Sequence, residues 1–443
     1  MTTNRPRRSA GVCVSALVLA ALVLAQPANA AITWGGTRNV GPPSTWSPGN
    51  TLAHAGGRLL TAWASDCPPP KGRCATDSGP HMGVFVQRTA LGGNLKWSDP
   101  IRVSQGKSQA ERASIAADGQ LAIVGWVTQR SYSRYDGGAP RAFYVRRSTD
   151  RGASWSKAIR ITAPSGRVDY PQLAVSDGTA YAAWTNADSG SIRLATSTDG
   201  GRHWSTRTIG TTTSVAAAGE GFAGYPTVGA SGMNVVVAWF ADEGGTQVAK
   251  SSASQGADFD QASPFDTLTA TSPNDGLHYG VARGAADGVT NDVTVAYTTS
   301  EGIAVRLFDG FSLGGEVTVL GGGWPIEIRG RTYTGATGPV IEPFGSGGLT
   351  VAFSACRDTS LNNDCRSTAK GARIDLFSTS SNDGGAGWST PSRLGVSRGS
   401  ATRVNDAAGL VVTRPDERFV LWNARDERFL SYRMTMRIGT GLV

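Results

Sequence analysis

The chain is poor in residues that hold metals, with 5 cysteines and 4 histidines in 443 residues. None of His54, His81, His203 and His278 stands in the H-x₃₋₅-H register of a zinc site. H-E-x-x-H, an EF-hand run and a Gly-rich phosphate loop followed by Lys are all missing, so no metal and no cofactor is expected. G-x-S-x-G occurs at Gly395–Gly399, but in a loop and not at a strand-to-helix elbow, and it is read as chance. Long runs of Lys or Arg are also lacking, which leaves no case for nucleic acid. Beyond the N-terminus no apolar stretch reaches the roughly 20 residues that a membrane span needs. Convincing helical periodicity is missing as well.

The N-terminus is different. Arg5, Arg7 and Arg8 precede an apolar run from Ala10 to Ala25, followed by Ala28-Asn29-Ala30. This order is that of a secretory signal peptide over residues 1–30, cut near Ala30. Removing it takes the formal charge from +8 to +5, too small and dispersed to imply an anionic membrane as partner. The mature chain, residues 31–443, is expected to be a secreted monomer of one domain. Its four cysteines form two close pairs, Cys67 with Cys74 and Cys356 with Cys365. In an exported chain that arrangement reads as two local disulfides.

What the chain has in abundance is repetition. A small-aromatic pair closes an apolar run at Trp63, Trp126, Trp184, Trp239, Tyr297, Phe353 and Trp422, at spacings of 63, 58, 55, 58, 56 and 69 residues. Seven Gly-rich, β-branched units of similar length indicate an all-β fold, a seven-bladed β-propeller of four-stranded antiparallel blades. The aromatic pairs fall on strand b, counting a to d from the central channel outward.

A second pattern, S-x-D-x-G-x-x-W, recurs at Ser148–Trp155, Ser197–Trp204 and Ser381–Trp388. Its place about twenty residues after the strand-b aromatic makes it the c–d turn. There Asp150, Asp199 and Asp383 can accept backbone N–H bonds, glycine supplies a positive φ, and Trp155, Trp204 and Trp388 pack between neighbouring sheets. Weaker copies stand at Ala90–Trp97 and Ser252–Phe259, and a shortened one at Phe308–Phe311. Strand d of the last blade is missing at the C-terminus. The segment Ile32–Gly41 lines up with other outer strands, Trp34 with Trp97 and Val40 with Val103, and is expected to close the ring in blade seven.

At these residues the chain resembles the Asp-box, or bacterial neuraminidase, repeat of sialidase-like β-propellers. The resemblance implies the propeller and turns lying away from the functional face; it covers both glycosidases and binding proteins. A retaining sialidase of this kind needs three convergent arginines, a tyrosine nucleophile with an acidic partner, and an acid/base Asp. Candidates of those types are Arg112, Arg331 and Arg403, then Tyr170, Tyr225 or Tyr279, then Asp169 or Glu111. The chain departs from the pattern in two ways. Arg-Ile-Pro is absent from the first inner strand, where SPGNTLAHAGG stands, and seven blades replace the usual six.

Strand alternation puts the b–c and d–a connections on one face and the Asp-box turns on the other. Long b–c loops are expected in blades one, two and six; the second carries Tyr132, Arg134, Tyr135 and Asp136. The d–a connections carry Arg112, Asp169 with Tyr170, Tyr225, Tyr279, Arg331 and Arg403 to the channel mouth. Tyr and Arg there suit an extracellular glycan or protein ligand, bound without catalysis. An exo-sialidase-type hydrolase and a structural factor docking a partner protein are the alternatives.

Overall fold

A computed structural model of the chain describes residues 32–44, 51–65, 82–92, 95–105, 109–129, 142–163, 168–186, 188–212, 226–243, 246–255, 266–271, 284–286, 292–299, 302–310, 312–322, 325–345, 347–357, 373–395, 404–426 and 431–441. The expected signal peptide, Cys67, Cys74 and Cys365, the three long b–c loops with Tyr132, Arg134 and Tyr135, and the mouth candidates Tyr225, Tyr279 and Arg403 lie outside the described residues.

The described residues form strands and turns, with no helix among them. Seven antiparallel sheets follow in order along the chain, six of four consecutive strands and a seventh completed from the N-terminus. Each innermost strand touches that of the next blade, and the innermost strand of blade seven, Val404–Arg414, touches that of blade one, Thr51–Ala55. The contact is close: a side chain on Gly409 would meet the backbone nitrogen of Leu52 at 2.7 Å.

The repeat residues hold the blades together. All seven aromatics lie on the second strand of their blade and are at most 3% exposed. Each packs into an apolar layer shared with a neighbouring sheet: Phe143 of blade two meets Trp184 of blade three edge-on, ring centroids 5.7 Å apart. Burial of such rings is worth about 1.5–3 kcal/mol each.

The ring closes as the sequence implies. Thr33–Trp34 and Arg38–Ser44 pair with Ser431–Thr440, Val40 opposite Met434 and Thr33 opposite Thr440. Val40 is fully buried, as is its counterpart Val103. Joining the two chain ends in one sheet leaves no unpaired gap in blade seven.

One connection differs from expectation. Between blades five and six the chain forms an extra ribbon, Ile326–Glu327 paired with Thr332–Tyr333. Arg329 and Gly330 both take left-handed conformations, φ 53° and 72°, so that Ile328 and Arg331 exchange backbone bonds of 2.9 and 3.2 Å. Two consecutive positive φ angles are what a tight two-residue hairpin demands, and Arg in place of the usual Asn hid it from the sequence.

Candidate functional site at the channel mouth

The Asp-box turns take the place and form predicted for them. In blade three, Ser197 donates to Asp199 at 2.8 Å and accepts the Gly201 N–H at 2.8 Å, while Asp199 accepts from Arg202 N, His203 N and the His203 ring. Blade two repeats this with Ser148, Asp150 and Gly152, and blade six with Ser381, Asp383 and Gly385. These bonds hold the carboxyl of Asp199 below the usual range, first through the His203 backbone, and that of Asp383 below it, first through Ser381. For Asp150, burial pushes upward, yet the bonds from Ser154, Ser148 and Ala153 prevail and lower its pKa to about 2.

Each turn also docks on the preceding blade. Gly201, at φ 83°, lies so close to blade two that a side chain there would meet Ile123 at 2.6 Å. Gly152 stands likewise against Leu60 of blade one, and Gly385 against Val317 of blade five, at 3.0 Å. The box glycine thus serves both the turn and the fit between blades. The chain is a seven-bladed β-propeller.

Searches of the sequence match no protein-family model and no curated protein. Among solved structures, the propeller is similar to a protein of unknown function from Dyadobacter fermentans, with 10% identity, 92% of this chain and 99% of that chain covered, and a TM-score of 0.49. It is also similar to Trypanosoma rangeli sialidase in complex with sialic acid, with 10% identity, 91% and 59% covered, TM-score 0.46. A third is the intramolecular trans-sialidase from Ruminococcus gnavus, with 9% identity, 72% and 92% covered, TM-score 0.45. The chain therefore spans 59% of the length of the trypanosomal sialidase. At such identities and TM-scores these likenesses assign neither ligand nor activity, and the propeller stands on its own strand pairing.

The innermost strands surround a central cavity of about 650 Å³ that reaches the a–b turns on the Asp-box side. Its wall includes Ser114, Gln172 and Thr227 towards the mouth, and Asp118, Asp177 and Glu342 towards the Asp-box end. The a–b turns are stitched together at that end: Asp177 N–H donates to Asp118 and Gly232 N–H to Ser176, each at 2.8 Å.

At the mouth, the innermost strands of blades two, three, six and seven all break register, between Glu111 and Ser114, Asp169 and Gln172, Thr337 and Val340, and Val404 and Ala407. In the first three the bulge residue is left-handed: Arg112 at φ 53°, Tyr170 at 49° and Gly338 at 58°. Pro171 and Pro339 follow two of them, and a bulge is where an inner strand tolerates a residue with no N–H to donate. Tyr225-Pro226 in blade four has the same sequence, so Tyr-Pro and Gly-Pro were the available signal.

These bulges bring two candidates together. The guanidinium carbon of Arg112 lies 4.1 Å above the centre of the Tyr170 ring, and its Nε is 3.9 Å from the buried carboxylate of Glu111. Left-handed backbone costs about 1–2 kcal/mol per non-glycine residue, and a stacked cation returns about 0.5–2. Asp169 is on the same strand as Tyr170, paired with Thr185. Arg331 is placed elsewhere. It is exposed in the turn of the extra ribbon, which Arg329 Nε–H ties to the carbonyl of Pro391, beside the outermost strand of blade six, at 2.8 Å.

Two tyrosine–carboxylate pairs appear that the sequence did not single out. Tyr333 donates to Asp375 at 2.7 Å and Tyr297 to Glu316 at 2.6 Å. Both tyrosines are fully buried. Glu316 lies just before the outer strand of blade five, on the Asp-box side, whereas Asp375 lies near the start of strand c of blade six, Arg373–Ser381, on the mouth side. Pairs separated by 19 and 42 residues leave no spacing pattern to detect.

Proposed function

We propose that the protein is exported and binds an extracellular glycan or protein ligand at the channel mouth, without catalysis. The observation that carries this reading is the Arg112–Tyr170 pair: two strained residues from adjacent blades, stacked at 4.1 Å above the channel. Strain of this kind is retained where a side chain must be held in a set direction. A guanidinium fixed over an aromatic ring offers a planar fork to a carboxylate and an apolar edge to a sugar ring.

The hydrolase alternative needs a tyrosine that substrate can reach. Among the described residues, the two tyrosines hydrogen-bonded to a carboxylate, Tyr333 and Tyr297, have no exposed surface, and the half-buried Tyr170 lies under the Arg112 guanidinium, which favours the binding reading. In this proposal the leader is removed near Ala30 and Cys67–Cys74 and Cys356–Cys365 are bonded, each pinning one mouth-side loop. A glycan-array screen paired with a fluorogenic sialoside assay tests it. Binding by the exported chain, lost in Arg112→Gly and Tyr170→Ala, supports the reading; turnover that tracks either substitution replaces it with the hydrolase.

A further inference from the structure

The ribbon between blades five and six was expected at the channel rim, yet its turn is tied to the outer flank of blade six. Arg329 is exposed and pinned by its Nε–H to Pro391 at 2.8 Å, and Arg331 is exposed across the same two-residue turn. Arg393 stands two residues beyond Pro391, opposite Phe377 in strand c. Its charge lies near enough to the Tyr333 hydroxyl to favour the ionised form, against burial and Asp375, which push that group upward. Arg329, Arg331 and Arg393 therefore stand on two elements, the ribbon turn and the outer strand of blade six, that the Arg329–Pro391 bond joins.

Among the described residues of the ribbon and of strands c and d of blade six, the acids do not balance them. Asp375 is fully buried and committed to Tyr333 at 2.7 Å and Arg357 at 3.3 Å. Glu327 is the one acid on the ribbon. The surface is exposed, so one small anion would gain little against water and salt. Several anionic groups on one chain, engaged together, gain by multivalency.

We infer that the outer flank of blade six, through Arg329, Arg331 and Arg393, is a second binding surface, taking the carboxylate or sulfate groups of a polyanionic glycan. It acts independently of the mouth and does not rest on the Arg112–Tyr170 site. Guanidinium forks match both groups in geometry, and a shallow flank suits a polymer laid along it.

The test uses the exported chain with polygalacturonate, heparin and neutral dextran in affinity electrophoresis at rising salt. Retardation by one or both polyanions and none by dextran is expected, and the stronger of the two identifies carboxylate or sulfate. Arg331→Ser/Arg393→Ser should weaken this at least tenfold and flatten its salt dependence, with thermal unfolding unchanged. Arg102→Ser/Arg160→Ser, which removes the same charge from the outer strands of blades one and two, should leave it intact. Equal weakening by the two double variants would show general attraction to a basic protein and overturn the site. Absence of retardation at low salt would overturn it too. If the flank pair proves poorly folded, Arg331→Ser alone, in an exposed turn, carries the same comparison.

Discussion

Tyr333 donates its hydroxyl to Asp375 at 2.7 Å, and the two sit with no exposed surface at the mouth-side end of blade six. Arg357, from the neighbouring strand, reaches the same carboxylate oxygen at 3.3 Å. Burial, then the bond to Asp375, raises the tyrosine pKa above its ordinary value, so the hydroxyl stays a donor at neutral pH. A buried carboxylate is tolerated because one hydroxyl donor and one guanidinium charge face it.

Removing either partner should therefore destabilise the fold. Tyr333→Phe is expected to cost about 1–3 kcal/mol in urea unfolding, since it leaves a buried acceptor short of a bond. Arg357→Met should cost more, about 3–5 kcal/mol, because it strands a buried charge. Arg357→Met/Asp375→Leu should recover much of that loss. A Tyr333→Phe chain of unchanged stability that has lost a catalytic activity would instead place Tyr333 in a reaction.

The Asp-box serine is the second target. Ser197 is almost fully buried and joins the Gly201 N–H to Asp199. Ser197→Ala leaves that N–H unpaired and should cost about 1–3 kcal/mol. Ligand binding should be unaltered, and a loss of binding at constant melting temperature would move the boxes from scaffold to site.

Gly201→Ala probes the same turn by shape. It forces a left-handed alanine, at about 1–2 kcal/mol, and brings its Cβ within 2.6 Å of Ile123. Gly200→Ala, also at positive φ but 3.9 Å from its nearest neighbour, Leu121, should pay the backbone cost without the clash. Differential scanning calorimetry of the two variants separates the terms; equal melting points would mean that the fit between blades is slack.

Acid should loosen the boxes in a defined window. The carboxyls of Asp150, Asp199 and Asp383 are all depressed in the fold, that of Asp150 to about 2, against about 3.9 in an unfolded chain. A depressed carboxyl adds stability above its unfolded value and loses it as pH falls through its folded value. Stability should therefore be flat with respect to these groups above about pH 5 and decline between about pH 4 and 2. Asp150→Asn should shallow that decline, and a slope unchanged by the substitution would remove Asp150 from the account.

Arg112→Gly separates strain from binding. Glycine accepts φ 53° freely, so loss of the Tyr170 stack, about 0.5–2 kcal/mol, is set against relief of about 1–2. Melting should move little while ligand is lost. A large drop in stability with binding retained would make the pair a structural clamp.

How much of this was legible beforehand follows from what each feature depends on. Trp63 to Trp422 recur because every blade must fill the same wedge, so their spacing gave the blade count without any contact being known. The box residues bond within one turn, and Ser197, Asp199, Gly201 and Trp204 could be assigned from their offsets. Ring closure was readable because Val40 repeats the pattern of Val103. Residues of this kind answer to local or repeated rules.

Only the tertiary structure decided the rest. Arg112 and Tyr170 meet because bulges in two different blades turn them toward each other, and neither residue's own segment specifies the other. Arg331, on a connection that had to pass the mouth, was carried to the outer flank by a two-residue turn and one bond from Arg329 to Pro391. Tyr333 found Asp375 across 42 residues, where burial gives an isolated polar group no choice but a partner from whichever strand lies nearest. Periodicity in the sequence records what every blade repeats, whereas a site is made where blades differ, and there the partners are chosen by distance in space.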